Sequence, residues 1–120
     1  MKERRAEPRM LCSDLIRVRL EIPGAAPAEL RANLEDISPS GACVLFEQSV
    51  PAGAPLCLSL GRYKFRGQVM HCTHHEIGYF VGVQFDAGKV WSRKVYEPRH
   101  LLDPARVMPR TRTAKSKSNG

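Results

Sequence analysis

Between Leu15 and Ile22 the chain alternates strictly, with Ile16, Val18, Leu20 and Ile22 on one side and Arg17, Arg19 and Glu21 on the other. A period of two is the signature of a strand with one face buried and one face wetted. Pro23-Gly24-Ala25-Ala26-Pro27 ends that run, and Ala28 to Asp36 predicts a second strand of weaker propensity, since Ala and Glu are poor strand formers. Ala42 to Glu47 predicts a third. Gly53 between Pro51 and Pro55 marks a turn, after which Leu56, Leu58 and Leu60 repeat the period of two over Pro55 to Leu60. Gly61-Arg62 connects tightly into a long fifth run, Tyr63 to His74, where Phe65, Val69 and His71 share the face of Gly67 and Lys64, Arg66 and Gln68 oppose them. A hairpin around Glu76-Ile77-Gly78 returns the chain as Tyr79 to Phe85.

Six short-turned strands predict an all-β domain, a six-stranded antiparallel β-barrel, because closure removes the exposed edges that so short a sheet would leave. Alternation stops after Asp86. Val90 to Ala105 is expected to hold one or two short helices divided at Pro98, which suits a first helical turn and not an interior one. Residues 1–14 are charged, contain Pro8 and lack periodicity, so they are expected to form a flexible arm; the basic, polar residues 106–120 are expected to be a disordered tail. The expected organisation is therefore an arm over 1–14, a barrel with a C-terminal helical segment over 15–105, and the tail.

With 120 residues, the chain has room for one core and one site. A formal charge of +7 turns attention to anionic partners: nucleotide, nucleic acid or an acidic surface. Neither a secretory apolar region nor a membrane-length apolar run is present, which predicts a cytoplasmic protein. Cys12, Cys43, Cys57 and Cys72 are scattered, three of them in apolar strand-like runs, and are expected to stay reduced.

The candidate chemistry gathers in Leu34-Glu35-Asp36-Ile37-Ser38-Pro39-Ser40-Gly41. In extended chain Asp36 and Ser38 share a face and offer an acceptor beside a donor, while Gly41 tolerates positive φ and leaves room for a ligand. The same residues also suit a plain turn, their side chains bonding their own backbone. Glu3-Arg4-Arg5-Ala6-Glu7-Pro8-Arg9 adds an RxxxR spacing at Arg5 and Arg9, with Arg4 beside it.

Together these stretches resemble the PilZ family, in which an RxxxR segment precedes a six-stranded barrel of the split-barrel type and a (D/N)xSxxG turn between the second and third strands completes a site for cyclic di-GMP. Val81-Gly82-Val83-Gln84-Phe85 resembles the last barrel strand of such domains. The resemblance implies a bacterial receptor that binds cyclic di-GMP and relays it to a protein partner by ordering its arm, without catalysis and without a cofactor. It implies Arg4, Arg5, Arg9, Asp36, Ser38 and Gly41 as the binding residues. Arg62/Arg66 and Arg106/Arg110 share the RxxxR spacing, so the ordered pair of motifs carries the resemblance and not the arginines alone.

Other classes fit less well. His71-Cys72-Thr73-His74-His75 alternates its side chains between two faces, so no three ligands converge and no metal is expected. Gly82 to Lys89 misses the spacing of a phosphate loop, and no triad or carboxylate pair is spaced for catalysis. Trp91, Tyr96 and Leu101-Leu102 are expected to pack the C-terminal segment on the barrel. A ligand-independent interaction module of the same fold is the alternative function. Nucleic-acid binding is disfavoured because the strands lack aromatic stacking platforms.

Overall fold

The computed structural model describes residues 8–102. Six strands follow one another: β1 (Met10–Leu20), β2 (Ala28–Ser38), β3 (Gly41–Phe46), β4 (Pro55–Leu60), β5 (Tyr63–His75) and β6 (Gly78–Phe85). They close into a barrel in the order β1-β2-β3-β6-β5-β4, every neighbouring pair antiparallel. The expected alternation supplies the interior: Val18 and Leu20, Leu34, Val44 and Phe46, Leu56, Leu58 and Leu60, Val69 and Val81 are all essentially inaccessible. Each such side chain contributes roughly 1.5–3 kcal/mol by leaving water.

Antiparallel order divides the connections between two ends. At one end lie the β1–β2, β3–β4 and β5–β6 loops. The other end, where β1 begins and β6 finishes, carries the tight Pro39-Ser40 and Gly61-Arg62 turns.

Two expectations are corrected at that end. First, β1 begins at Met10, so Met10 to Asp14 belong to the barrel and not to the arm, with Cys12 and Asp14 buried. A carboxylate on the inward phase had hidden the alternation there. Second, no helix forms over the described part of Val90–Ala105; Ser92 accepts from the Val95 and Tyr96 N–H groups in one isolated turn. The backbone groups that a helix would pair internally bond to the barrel instead. Trp91 N–H donates to the Pro39 carbonyl at 2.9 Å, Ser13 N–H donates to the Arg99 carbonyl at 3.1 Å, and Leu11 and Leu102 exchange bonds of 3.1 and 2.7 Å. Pro98, with no N–H, interrupts any helix between those anchors.

Asp14 holds this segment down, as its carboxylate accepts from the Tyr96 hydroxyl and, at 3.1 Å, from Arg99 N–H. Trp91 joins the core at the same end, and its indole N–H donates to the Tyr96 carbonyl at 2.8 Å. Among the described residues no helix is long and apolar enough to cross a membrane.

Burial, with the Asp14 bond and charge adding to it, pushes the Tyr96 phenol up to about 12 from 10.0. A raised folded-state pKa means that the stabilisation is complete below the ordinary tyrosine value and is lost as pH rises through the folded one. Tyr96→Phe should therefore destabilise the protein at pH 8, by about 1.5–3 kcal/mol for a bond to a charged acceptor. Its deficit against the parent should close between about pH 10 and 12, followed through Trp91, the single tryptophan. A deficit that persists unchanged at pH 12 would show that the hydroxyl does not act through Asp14.

Candidate functional site

An irregularity in β2 sets the direction of the central residue. Leu34 faces Val44 and Asp36 faces Cys43 across the β2–β3 ladder, so Glu35 is an extra residue, a β-bulge. Without it, Leu34 and Asp36 would point the same way, into the core. With it, Ile37 takes the inward position, fully buried, and Asp36 turns outward; Ser38 follows on the same phase as Asp36 but is itself buried. Asp36 and Ser38 thus share a face, as their spacing implied.

The turn that follows is tied down on every side. Ser38 Oγ donates to the Gly41 carbonyl at 3.3 Å, the Ser40 carbonyl accepts from Phe85 N–H at 2.8 Å, and Pro39 holds Trp91. Gly41 has a different reason to be glycine from the one expected. Its φ is not in the left-handed region; a Cβ there would lie 2.4 Å from the Val83 carbonyl oxygen on β6. Close strand approach, not a strained turn, excludes a side chain, and forcing one in costs typically about 1–3 kcal/mol.

Arg9 leans back from the start of β1, with its guanidinium 3.4 Å from Asp36 Oδ2. The second arginine of the RxxxR spacing therefore meets the turn motif in space. Arg4 and Arg5 lie outside the described residues. Asp36 Oδ1 is buried and has no hydrogen-bond partner, the one such side-chain atom among the described residues. Burial pushes the Asp36 pKa up, opposed by the Arg9 charge and the Cys43 backbone N–H and reinforced by Glu35. An acceptor held in that condition has spare capacity for a donor.

Register extends the site across the barrel. Leu11, Asp36, Cys43, Gly82 and His71 are successive partners on β1, β2, β3, β6 and β5, a single row on the outer surface. Burial, together with the Asp36 charge, pushes the Cys43 thiol up to about 11, so the thiol beside Asp36 stays neutral. His71 was expected on the face of Gly67, but a bulge at Met70 turns it outward. Its ring then covers Gly82: a Cβ at that position would fall 2.3 Å from Nε2. Sequence reasoning missed His71 as part of this surface, since only the bulge and the bare glycine bring it there.

Among the described residues no group of three His, Cys, Asp or Glu side chains converges as a metal site would need. His74 stacks on Tyr79 with ring centres 4.6 Å apart, and His75 meets Phe80 edge-on at 4.9 Å.

Comparison with known proteins points one way. The family model described as PilZ domain matches residues 3–93. The fold is similar to the PilZ domain with c-di-GMP of YcgR from Escherichia coli, with a TM-score of 0.55 and 16% identity over 71% of this chain and 79% of that one. It is also similar to YcgR in complex with c-di-GMP from the same organism, at TM-score 0.55 and 16% identity, covering 98% of this chain and 50% of the other. The chain thus spans half the length of that second protein, and at such identity the likeness is one of fold. No curated protein sequence matches the chain.

Because the folded-state pKa of Asp36 is raised, its ionised form is a burden on the fold: the relative stability is greatest at low pH and is lost as pH rises through the folded value. Asp36→Asn should raise the melting temperature at pH 7, and the gain should shrink as pH falls toward the ordinary carboxylate range. Thermal unfolding at several pH values checks it; a lower melting temperature at pH 7 would mean that the Arg9 ion pair outweighs burial.

Proposed function

The chain belongs to the PilZ domain family, and we propose that it is a receptor which binds cyclic di-GMP at Arg4, Arg5, Arg9, Asp36, Ser38 and Gly41 and relays it to a protein partner, with no catalysis of its own. The observation that carries the reading is the buried, unpartnered Asp36 Oδ1 beside the Arg9 guanidinium. Guanine presents a donor edge, N1–H and N2–H₂, and an acceptor edge, O6 and N7. A carboxylate with a spare oxygen suits the first, and a guanidinium suits the second in bidentate fashion while its plane stacks on the base.

Each group has a distinct part in this reading. Asp36 accepts from the guanine donors, which gives its desolvated oxygen the partner it lacks. Arg9 leaves or shares Asp36 to reach the acceptor edge or a ring phosphate, and Arg4 and Arg5 add charge-assisted bonds. Ser38 keeps the turn closed and offers its hydroxyl lone pairs. Gly41 keeps β3 against β6 so that the turn stays where Asp36 needs it. The neutral surface over Cys43 and Gly82, bounded by His71, receives the flat face of the ligand.

Relay follows from the arm. Fixing its backbone costs roughly 1–2 kcal/mol per residue, which the ligand contacts of the arginines offset. The arm enters β1 at Met10, next to Leu11 and its bridge to Leu102, so ordering it rebuilds the surface at that end of the barrel. That rebuilt surface is what the partner reads, in the cytoplasm where the messenger is made.

Isothermal titration with cyclic di-GMP tests the assignment. Arg5→Ala and Arg9→Ala should each weaken binding by about 1–3 kcal/mol, the worth of a bidentate contact to guanine, with melting curves close to the parent. Asp36→Asn keeps a carbonyl oxygen and should retain much of the affinity that Asp36→Ala loses. Unchanged affinity in both arginine variants rejects the site; equal loss in the Asn and Ala variants means that charge, not an acceptor in the right place, is what the ligand needs.

A further inference from the structure

Away from that site, the outer faces of β4, β1 and β2 form an open groove of about 650 Å³. Its lining combines the exposed Arg17, Arg19, Arg31 and Lys64 with the small residues Cys57, Ser59 and Gly61. The cross-strand pairs along the β1–β2 ladder differ in kind. Arg19 faces Glu29 and pairs with it at 3.1 Å, which is how a ladder balances its outer charges. The next outward pair is Arg17 opposite Arg31, two like charges in direct register, a placement that costs stability. Among the described residues neither arginine, nor Lys64, has an ion-pair partner, and the only acid in the groove, Glu29, is already taken.

We propose that this groove docks an extended, acidic segment of a protein partner. Charge complementarity selects the occupant. Arg17 and Arg19 are two residues apart on a strand, about 7 Å, and Arg31 stands about 5 Å across the ladder from Arg17. Acidic residues at every second position of an extended peptide repeat at the same spacing of about 7 Å.

A polynucleotide would match the charge but lacks a stacking platform. The one aromatic ring in the groove is Tyr96, whose hydroxyl is given to Asp14 and whose ring lies against Gly61. The groove also stands apart from the Asp36 turn: Arg31 and Asp36 are five residues apart on β2, about 15 Å along the strand. The inference therefore does not rest on the cyclic di-GMP reading.

The test uses the full chain and a short fluorescein-labelled peptide of alternating Glu and Val, followed by anisotropy. Binding should be saturable, should weaken with added salt, and should fall by about tenfold or more in Arg17→Glu/Arg31→Glu. Lys89→Glu/Arg93→Glu changes the net charge equally on exposed positions outside the groove and should lose less than about twofold. Arg17→Thr should raise the melting temperature, since it relieves the like-charge pair. Absence of binding, equal loss in the control, or displacement of the peptide by oligo-dT at a lower concentration overturns the proposal. A lowered melting temperature in Arg17→Thr would do so too, by showing the arginines to be structural.

Discussion

A strand has two sides, and the inner side of this barrel admits almost nothing charged. Every functional group must therefore be turned outward without moving an apolar neighbour out of the core, and the period of two forbids that wherever the two demands fall on the same phase. The bulge at Glu35 resolves the conflict in β2. One inserted residue keeps Leu34 and Ile37 both buried and releases Asp36 to the surface. The bulge at Met70 does the same in β5, keeping Val69 inside and turning His71 out. The row from Leu11 to His71 exists because three ladders, β1–β2, β2–β3 and β5–β6, each shift register in the right place.

Asp36 also shows what a half-buried carboxylate costs the fold that carries it. Its carboxylate is half-withdrawn from water, is only partly compensated by Arg9 and the Cys43 N–H, and keeps one oxygen unpaired. Arg17 against Arg31 is a second such cost on a different face. Neither arrangement helps the barrel to fold, and both are what a ligand or partner of complementary chemistry would relieve.

The strands were legible because alternation survives where one face is buried: Ile16 to Leu20, Leu56 to Leu60 and Phe65 to Val69 all lie as their pattern implied. Bulges are invisible to the same reasoning, since they are defined by the partner strand; hence His71 was put on the wrong face. Asp14 disguised the first turns of β1 by placing a carboxylate on the inward phase, where only Tyr96 and Arg99, more than eighty residues away, make it tolerable. Those same long-range bonds turned an expected helix into an irregular strap. Residue types alone left Asp36 and Ser38 open between a turn and a site; in the fold Ser38 bonds the backbone of its own turn at Gly41, while Asp36 meets Arg9, a contact no local pattern announces. The arm beyond Arg9, on which half of the motif depends, lies outside the described residues.

The ring of His71 occupies the space that any side chain at position 82 would need. Two positions eleven residues apart in sequence are thereby bound into one hereditary character. A lineage that gains even a methyl group at 82 must move or surrender the imidazole at 71, and one that loses the imidazole leaves 82 free to drift. Substitution at either position alone changes the surface at the other: a side chain at 82 displaces the exposed ring, and loss of the ring uncovers the glycine.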